Sequence, residues 1–197
     1  MGQAGRSKLA KENWIYGINP VSEGIRSGRK ISCLYVSKQR NELIKNIIQD
    51  VGDRGIPVKY VDKEFFDSRF DKGHQSIAAS VEQKKVISIE SLLELPGQRG
   101  EASFFLILDC IEDPRNLGAI LRVADSAGVH GVVIQSHRSA GITSFVSKAS
   151  AGAVEYVNVV EVVNIKHAID KMKKMDIAII GAEAGSENTP WDVKMDT

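Results

Sequence analysis

Cysteine is scarce: Cys33 and Cys110 are the only two among 197 residues. Each sits in an apolar run, 31–36 and 104–111, so the expected state of both is a reduced thiol in a core. The four histidines, at 74, 130, 137 and 167, form no HxxxH pair, and no CxxC occurs. That spacing excludes the common structural metal sites and points to a reducing, cytoplasmic compartment. No apolar stretch approaches the ~20 residues that cross a bilayer, so no membrane role is expected. Residues 1–13 are basic but lack an apolar h-region, so they read as a flexible arm and not a secretory signal. Neither GxGxxG nor GxxxxGK[ST] is present, which counts against an unrelated nucleotide-binding α/β enzyme.

What remains is the composition of a soluble globular protein, 43% hydrophobic and 26% charged. The net charge of +1 conceals an asymmetry. Residues 1–100 carry 17 Lys/Arg against 12 Asp/Glu, and residues 101–197 carry 9 against 13. Within 1–45 the balance is 9 basic to 3 acidic. Two explanations fit: a polyanion docks on the first half, or that half presents a solvated basic face.

Apolar periodicity divides the chain. In 14–81, a β-rich run at 31–36 precedes a helical pattern carrying Leu43, Ile44, Ile47, Ile48 and Val51. Short strands at 58–61 and 76–81 flank a small helix after Asp62. Residues 82–103 are polar and turn-rich around one short helix near 91–95, and read as a linker. From 104 to 197, strands are expected at 104–108, 132–135, 157–163 and 177–180. Helices are expected between them at 117–127, 144–151 and 165–175. Near-continuous apolar strands alternating with helices predict a parallel sheet covered on both faces. Its ligands should lie beyond the strand carboxyl ends, at 109–116, 136–144 and 181–186.

The densest segment is 108–128. Asp113-Pro114 makes a turn, because Pro114 keeps the residue before it extended. Asn116 suits an N-cap. Gly118 in the first helical turn costs up to ~1 kcal/mol against Ala, which suggests a close approach to the backbone. Ile120, Leu121, Val123 and Ala124 supply packed faces. Arg122 stands out among these apolar neighbours. It can lean N-terminally toward Asn116, or reach solvent or pair with Asp125.

At these residues the chain resembles the SpoU (TrmH-like) RNA ribose 2′-O-methyltransferases. Residues 113–122 and 124–129 resemble the family's first signature motif, and 147–153 its downstream helix. Residues 14–20 and 73–78 resemble the substrate-binding domain of the subgroup acting on a guanosine of 23S ribosomal RNA. The resemblance implies a small N-terminal α/β RNA-binding domain (14–81) and a parallel-sheet methyltransferase domain of SPOUT, trefoil-knot type (104–197). It implies S-adenosylmethionine as cofactor, ribosomal RNA as partner and a homodimer. The arginine matching Arg122 acts on the ribose hydroxyl in this family, with the asparagine matching Asn116 in support. A guanidinium hardly deprotonates, so stabilising the forming alkoxide or gripping a phosphate suits Arg122 better than acting as a base.

RNA contacts are expected at Arg26, Arg29, Lys30 and Arg115, and at His74 and Gln75, although the last two also fit a capped turn. Trp14 and Tyr16 are stacking candidates; Tyr35, within a strand, is also one but fits a core better. The family's two donor-holding motifs, a glycine-glutamate-glycine loop and a serine-leucine-asparagine segment, have no convincing match. Residues 181–185 (Gly-Ala-Glu-Ala-Gly) resemble the first but fall on the preceding strand end. The methyltransferase domain is therefore expected to be C-terminally incomplete in this chain, and the chain alone inactive. The alternative is a non-catalytic RNA-binding or ribosome-assembly protein with the same domain pair.

Overall fold

A computed structural model describes residues 13–38, 42–187 and 189–193. The arm expected at 1–13 therefore lies almost wholly outside the described residues.

The first unit is a four-stranded sheet. Its strands are β1 (Asn13–Tyr16), β2 (Ile31–Ser37), β3 (Val58–Val61) and β4 (Ile77–Val81), in the order β1-β4-β2-β3. β4 runs antiparallel to both β1 and β2, whereas β2 and β3 are parallel. Side chains alternate between the two faces of a strand, and here the faces have different chemistry. Ile15, Leu34, Val36, Ile77 and Ala79 point into an aliphatic core under α1 (Ile18–Arg26) and α2 (Glu42–Asp53). The opposite face is aromatic: Trp14, Tyr16 and Tyr35 pack with Phe65, Phe66 and Phe70 of and just beyond α3 (Lys63–Asp67).

This aromatic cluster corrects an expectation. Tyr16 is 1% exposed, and the Tyr35 ring stacks on Phe65 at 5.0–5.1 Å from its aromatic neighbours. Trp14 lies edge-on to Phe65 and Phe70. Their rings pack against one another, so they are not open platforms for bases.

The second sheet is wholly parallel, in the order β5-β6-β7: Phe105–Leu108, Gly131–Gln135 and Val159–Val162. α5 (Pro114–Ala127) and α6 (Ser144–Ala149) cover one face, where Leu117, Leu121, Val132, Ile134 and Val146 form a buried cluster. α4 (Ile89–Arg99) and α7 (Ile165–Lys173) cover the other, with Leu92, Leu93, Val133, Val160 and Met172. The expected parallel sheet with both faces covered is thus present.

Three details differ. Residues 82–103, read as a linker, include α4, whose Leu92 is fully buried against this second sheet. Leu92 Cδ1 lies so close to Gly131 that a Cβ there would be 2.4 Å away. The expected strand at 177–180 is absent, and Ile179 and Ile180 are exposed. Of the two thiols, Cys33 is buried as expected, but Cys110 is exposed at the end of β5.

The two units meet at a polar seam. Arg29 Nη1 donates to both carboxylate oxygens of Glu155, at 2.7 and 2.9 Å, while its Nε and Nη2 donate to the Glu82 carbonyl. Lys84 Nζ donates to the carbonyls of Val154, Glu155 and Val157 at 2.6, 2.9 and 3.1 Å. The first two belong to the one-turn 3-10 helix Ala153–Glu155, and Val157 follows just beyond it. Burial, the largest effect, pulls the Lys84 pKa down; Glu155 opposes that shift and Arg29 adds to it. Gly152, with φ +94°, lets Glu23 approach so closely that a Cβ would meet its Cβ at 2.6 Å.

Candidate active site and RNA-facing surface

The parallel strands end together, and the loops beyond them define a crevice. After β5, Asp113 caps α5 and Pro114 occupies the first helical position. Asp113 Oδ1 accepts from the Arg115 backbone N–H at 2.8 Å, as an N-cap side chain does. The cap is therefore Asp113 and not Asn116, which lies inside the first turn. Pro114 explains the shift: it lacks the N–H that the first helical position does not need, and so starts the helix there.

Arg115 folds back on the same carboxylate, Nη2 to Oδ2 at 2.9 Å. The Arg115 side-chain bond and then the Arg115 backbone N–H hold the Asp113 carboxyl below its ordinary pKa. Arg115 is exposed, but its fork is shared with Asp113.

Gly118 was expected to admit a close neighbour, and it does, but that neighbour is protein. A Cβ on Gly118 would lie 2.4 Å from Ala149 Cβ and 2.8 Å from Ala149 C. The approach is thus that of α6 against α5. The same contact sets which face of α5 is left open.

That open face carries Asn116, Ala119, Arg122 and Val123, all exposed. Asn116, Ala119 and Arg122 follow an i, i+3, i+6 line, about 9 Å long on the helix axis. Val123, expected in the packing, is 69% exposed beside Arg122. The pairing of Arg122 with Asp125 does not form, and the guanidinium has no hydrogen bond or ion pair among the described residues. Only its backbone carbonyl is used, accepting from Ser126 Oγ at 3.0 Å.

Beyond β6, the loop 136–143 lies against the β5 loop, tied by Ala140 N–H to the Ile111 carbonyl at 2.8 Å. Cys110 and Arg138 both adopt left-handed backbone, φ 55° and 57°. The Cys110 thiol donates to Asp109 Oδ1, and that bond, chiefly, raises its pKa. The thiol is held away from the thiolate, so it is not poised as a nucleophile.

The RNA-contact candidates separate. Arg26 and Lys30 are exposed on the first unit, Arg26 bonded to Glu23 and Lys30 at 3.4 Å from Glu82. Arg29 belongs to the seam, with a side chain 15% exposed; its role is structural, which corrects its assignment as a phosphate contact. His74 is buried: its Nε2–H donates to Asp67, its Nδ1 accepts from Ser76 N–H, and its ring stacks on Phe66. Gln75 is exposed, yet its Oε1 accepts from Ile18 N–H at 2.9 Å and caps α1. The capped-turn reading fits both better than RNA contact. Sequence reasoning missed Lys84, whose three partners lie some seventy residues away, and Arg138, marked by nothing local except its basic charge.

Residues 181–185, which resemble the family's donor loop, are exposed throughout. A cavity of about 240 Å³ at the seam is lined by residues including Arg29, Lys84, Val154 and Glu161. Another of about 290 Å³ is bounded by residues including Tyr16, Asp67, Asp71 and Ser144. Residues 181–185 line neither of these two cavities. Among the described residues, no cluster of three or more His, Cys, Asp or Glu could hold a metal ion. No described helix is long and apolar enough to cross a membrane.

Comparison with known proteins bears on the family and the fold. The SpoU rRNA Methylase family matches residues 103–197, and the RNA 2′-O ribose methyltransferase substrate-binding family matches 14–86. YacO of Bacillus subtilis, named for the TrmH family of tRNA/rRNA methyltransferases, is 33% identical over 177 residues. The match covers 89% of this chain and 71% of YacO. A Staphylococcus aureus protein of the same family name is 35% identical over 87% of this chain and 70% of its own length. AviRb of Streptomyces viridochromogenes, a SpoU methyltransferase solved with AdoMet, shares the fold with a TM-score of 0.66 at 18% identity. That match covers 88% of this chain and 63% of AviRb. A solved RNA 2′-O ribose methyltransferase matches with a TM-score of 0.70 at 16% identity, over 91% of this chain and 66% of that one. The chain belongs to the SpoU, or TrmH, family of RNA methyltransferases, whose methyl donor is S-adenosylmethionine.

Proposed function

We propose that the protein methylates a ribose 2′-hydroxyl of ribosomal RNA, on a guanosine of the large subunit, working in the cytoplasm as a homodimer. The observation that carries this reading is Arg122: an exposed, unpartnered guanidinium on the same open helix face as Asn116. S-adenosylmethionine supplies an electrophilic methyl group, and the protein's task is to present the hydroxyl to it. Arg122 stabilises the negative charge that develops on the 2′-oxygen or grips the adjoining phosphate. Asn116 offers an amide to the same region. Arg26 and Lys30, with Arg115 at the crevice, contact phosphates and position the RNA without reading its sequence.

The 197-residue chain by itself is proposed to hold RNA without methylating it, because residues 181–185, which resemble the donor-holding loop, are exposed throughout. Calorimetric titration with S-adenosylmethionine checks this, and micromolar binding would overturn it. The catalytic reading is tested by single-turnover methylation of an rRNA fragment, with this chain carried in a protein of its relatives' full length. Arg122→Ala should lose turnover while RNA affinity stays close to wild type. Full activity in the folded variant would remove Arg122 from the reaction.

A further inference from the structure

Arg138 sits at the head of the strand-end crevice, on the loop that follows β6. Three observations set it apart from an ordinary surface arginine. Its backbone is left-handed, φ 57°, a conformation unfavourable for a residue with a Cβ. The loop holds it there: Ser139 Oγ donates to the Gln135 carbonyl at 2.6 Å, and Ala140 N–H binds Ile111 across to the β5 loop. Across the crevice, Cys110 is left-handed too, and its thiol feels the Arg138 charge. Strained residues collect where a site fixes a side chain at the expense of its backbone. Here two of them stand on adjoining, hydrogen-bonded loops where ligands of parallel sheets bind.

The side chain has been left available as well. Arg138 is exposed and makes no hydrogen bond or ion pair among the described residues. Of its basic neighbours, Arg29 is committed to Glu155 and Lys148 to the Lys72 carbonyl, and Arg115 shares its fork with Asp113; Arg138, like Arg122 on α5, keeps its guanidinium free among the described residues. A guanidinium held on a strained loop, with its fork empty, matches a phosphate, which accepts two parallel N–H bonds.

We infer that Arg138 grips a backbone phosphodiester of the RNA strand at the strand-end crevice, positioning that strand on the methyltransferase domain. This rests on the RNA-modifying reading above. It adds a contact to those of Arg26 and Lys30, which lie on the other domain, and of Arg115 at the start of α5. RNA would then be held by both domains, on the second one in the crevice at whose edge α5 begins.

The test is the salt dependence of RNA binding by the full 197-residue chain, measured by fluorescence anisotropy with a labelled rRNA hairpin containing a single-stranded loop. Each phosphate contact contributes about 0.7–0.9 to the slope of log affinity against log salt. Arg138→Gln is expected to lower the slope by about that amount and weaken binding several-fold at moderate salt. Arg138→Lys should keep the slope, because a point charge also neutralises a phosphate. Arg138→Gly should lose it equally while unfolding no earlier than wild type, since glycine accepts φ 57° freely. That variant separates a lost contact from a damaged loop. If Arg138→Gln and Arg138→Gly both bind with the wild-type slope, the inference is wrong. If instead the wild-type chain shows no salt-dependent RNA binding, the RNA reading itself has failed, a result distinct from a silent Arg138 on a chain that binds.

Discussion

Arg29 and Glu155, 126 residues apart, meet as a buried ion pair in which one guanidinium nitrogen serves both carboxylate oxygens at 2.7 and 2.9 Å. The Glu155 side chain is 1% exposed. Removing one partner of such a pair leaves a buried charge unanswered, which costs about 3–5 kcal/mol. Glu155→Ala and Arg29→Ala should each destabilise the protein by that order in denaturant unfolding. The double change Arg29→Met with Glu155→Leu should recover most of the loss, since it leaves no charge behind. Arg26→Ala, at the surface beside Glu23, should change stability by less than about 1 kcal/mol. If Arg29→Ala proved as mild as Arg26→Ala, the seam would not depend on this pair.

A second prediction concerns acid. Asp113 caps α5, and its pKa is depressed in the folded protein by Arg115. A carboxyl depressed on folding contributes stability that is present above its unfolded value and lost as pH falls through the folded one. The start of α5 should therefore loosen below about pH 4, with faster exchange at the amides of Arg115, Asn116 and Leu117. Asp113→Asn retains a good cap without a titrating group and should flatten that acid response, whereas Asp113→Ala should lower thermal stability at neutral pH as well. An unchanged acid response in Asp113→Asn would show that another group controls it.

Gly118→Ala raises helix propensity on paper, by up to about 1 kcal/mol. The structure predicts the opposite sign, because the new methyl would meet Ala149 backbone atoms that cannot rotate away. Overpacking of this kind costs about 1–3 kcal/mol, so thermal unfolding of Gly118→Ala should begin earlier. A companion change, Ala149→Gly, should recover only part of it, since the carbonyl carbon at 2.8 Å remains. Stabilisation by Gly118→Ala alone would mean that α5 and α6 sit farther apart.

Arg122 separates a functional from a structural arginine. It has no partner to lose, so Arg122→Ala and Arg122→Lys should unfold within about 0.5 kcal/mol of wild type. In methylation, Arg122→Lys should not restore activity, because an ammonium does not reproduce a planar fork. Unfolding and activity measured on the same preparations decide the matter: activity falling only in proportion to the folded fraction would assign Arg122 to the scaffold.

The second domain was legible in the sequence because its strands are continuous apolar runs and its helices have clear apolar stripes. β5, α5, β6, α6, β7 and α7 all occur, within a few residues of where periodicity put them. Legibility failed where a residue's meaning depends on a distant partner. Arg29 reads as a phosphate contact until Glu155 is placed beside it. His74 and Gln75 read as polar loop residues until Asp67 and the α1 N-terminus come within bonding distance. Residues 177–180 are apolar enough for a strand, but a strand needs a neighbour to pair with, and in this structure none takes them up. Gly118 was read correctly as a place of close approach, yet nothing in its local sequence distinguishes a helix from a ligand as what approaches.

The seam also has a consequence for the order in which the molecule assembles during synthesis. Among the described residues β1 pairs with β4 alone, so the first sheet cannot close before residue 81 has emerged, and its other pairings are complete by then. Domains form from the N-terminus as the chain lengthens, so this unit can be complete while the second is still being made. Arg29 then waits with its charge on the surface of a finished domain, and so does the Lys84 ammonium. Their partners, 153–157, arrive together on a single turn, after β6 and α6 and just ahead of β7. The docking of the two halves is therefore timed by translation, and a nascent chain halted shortly before residue 153 should carry a folded first domain with its basic seam still free to bind the nearest polyanion, ribosomal RNA.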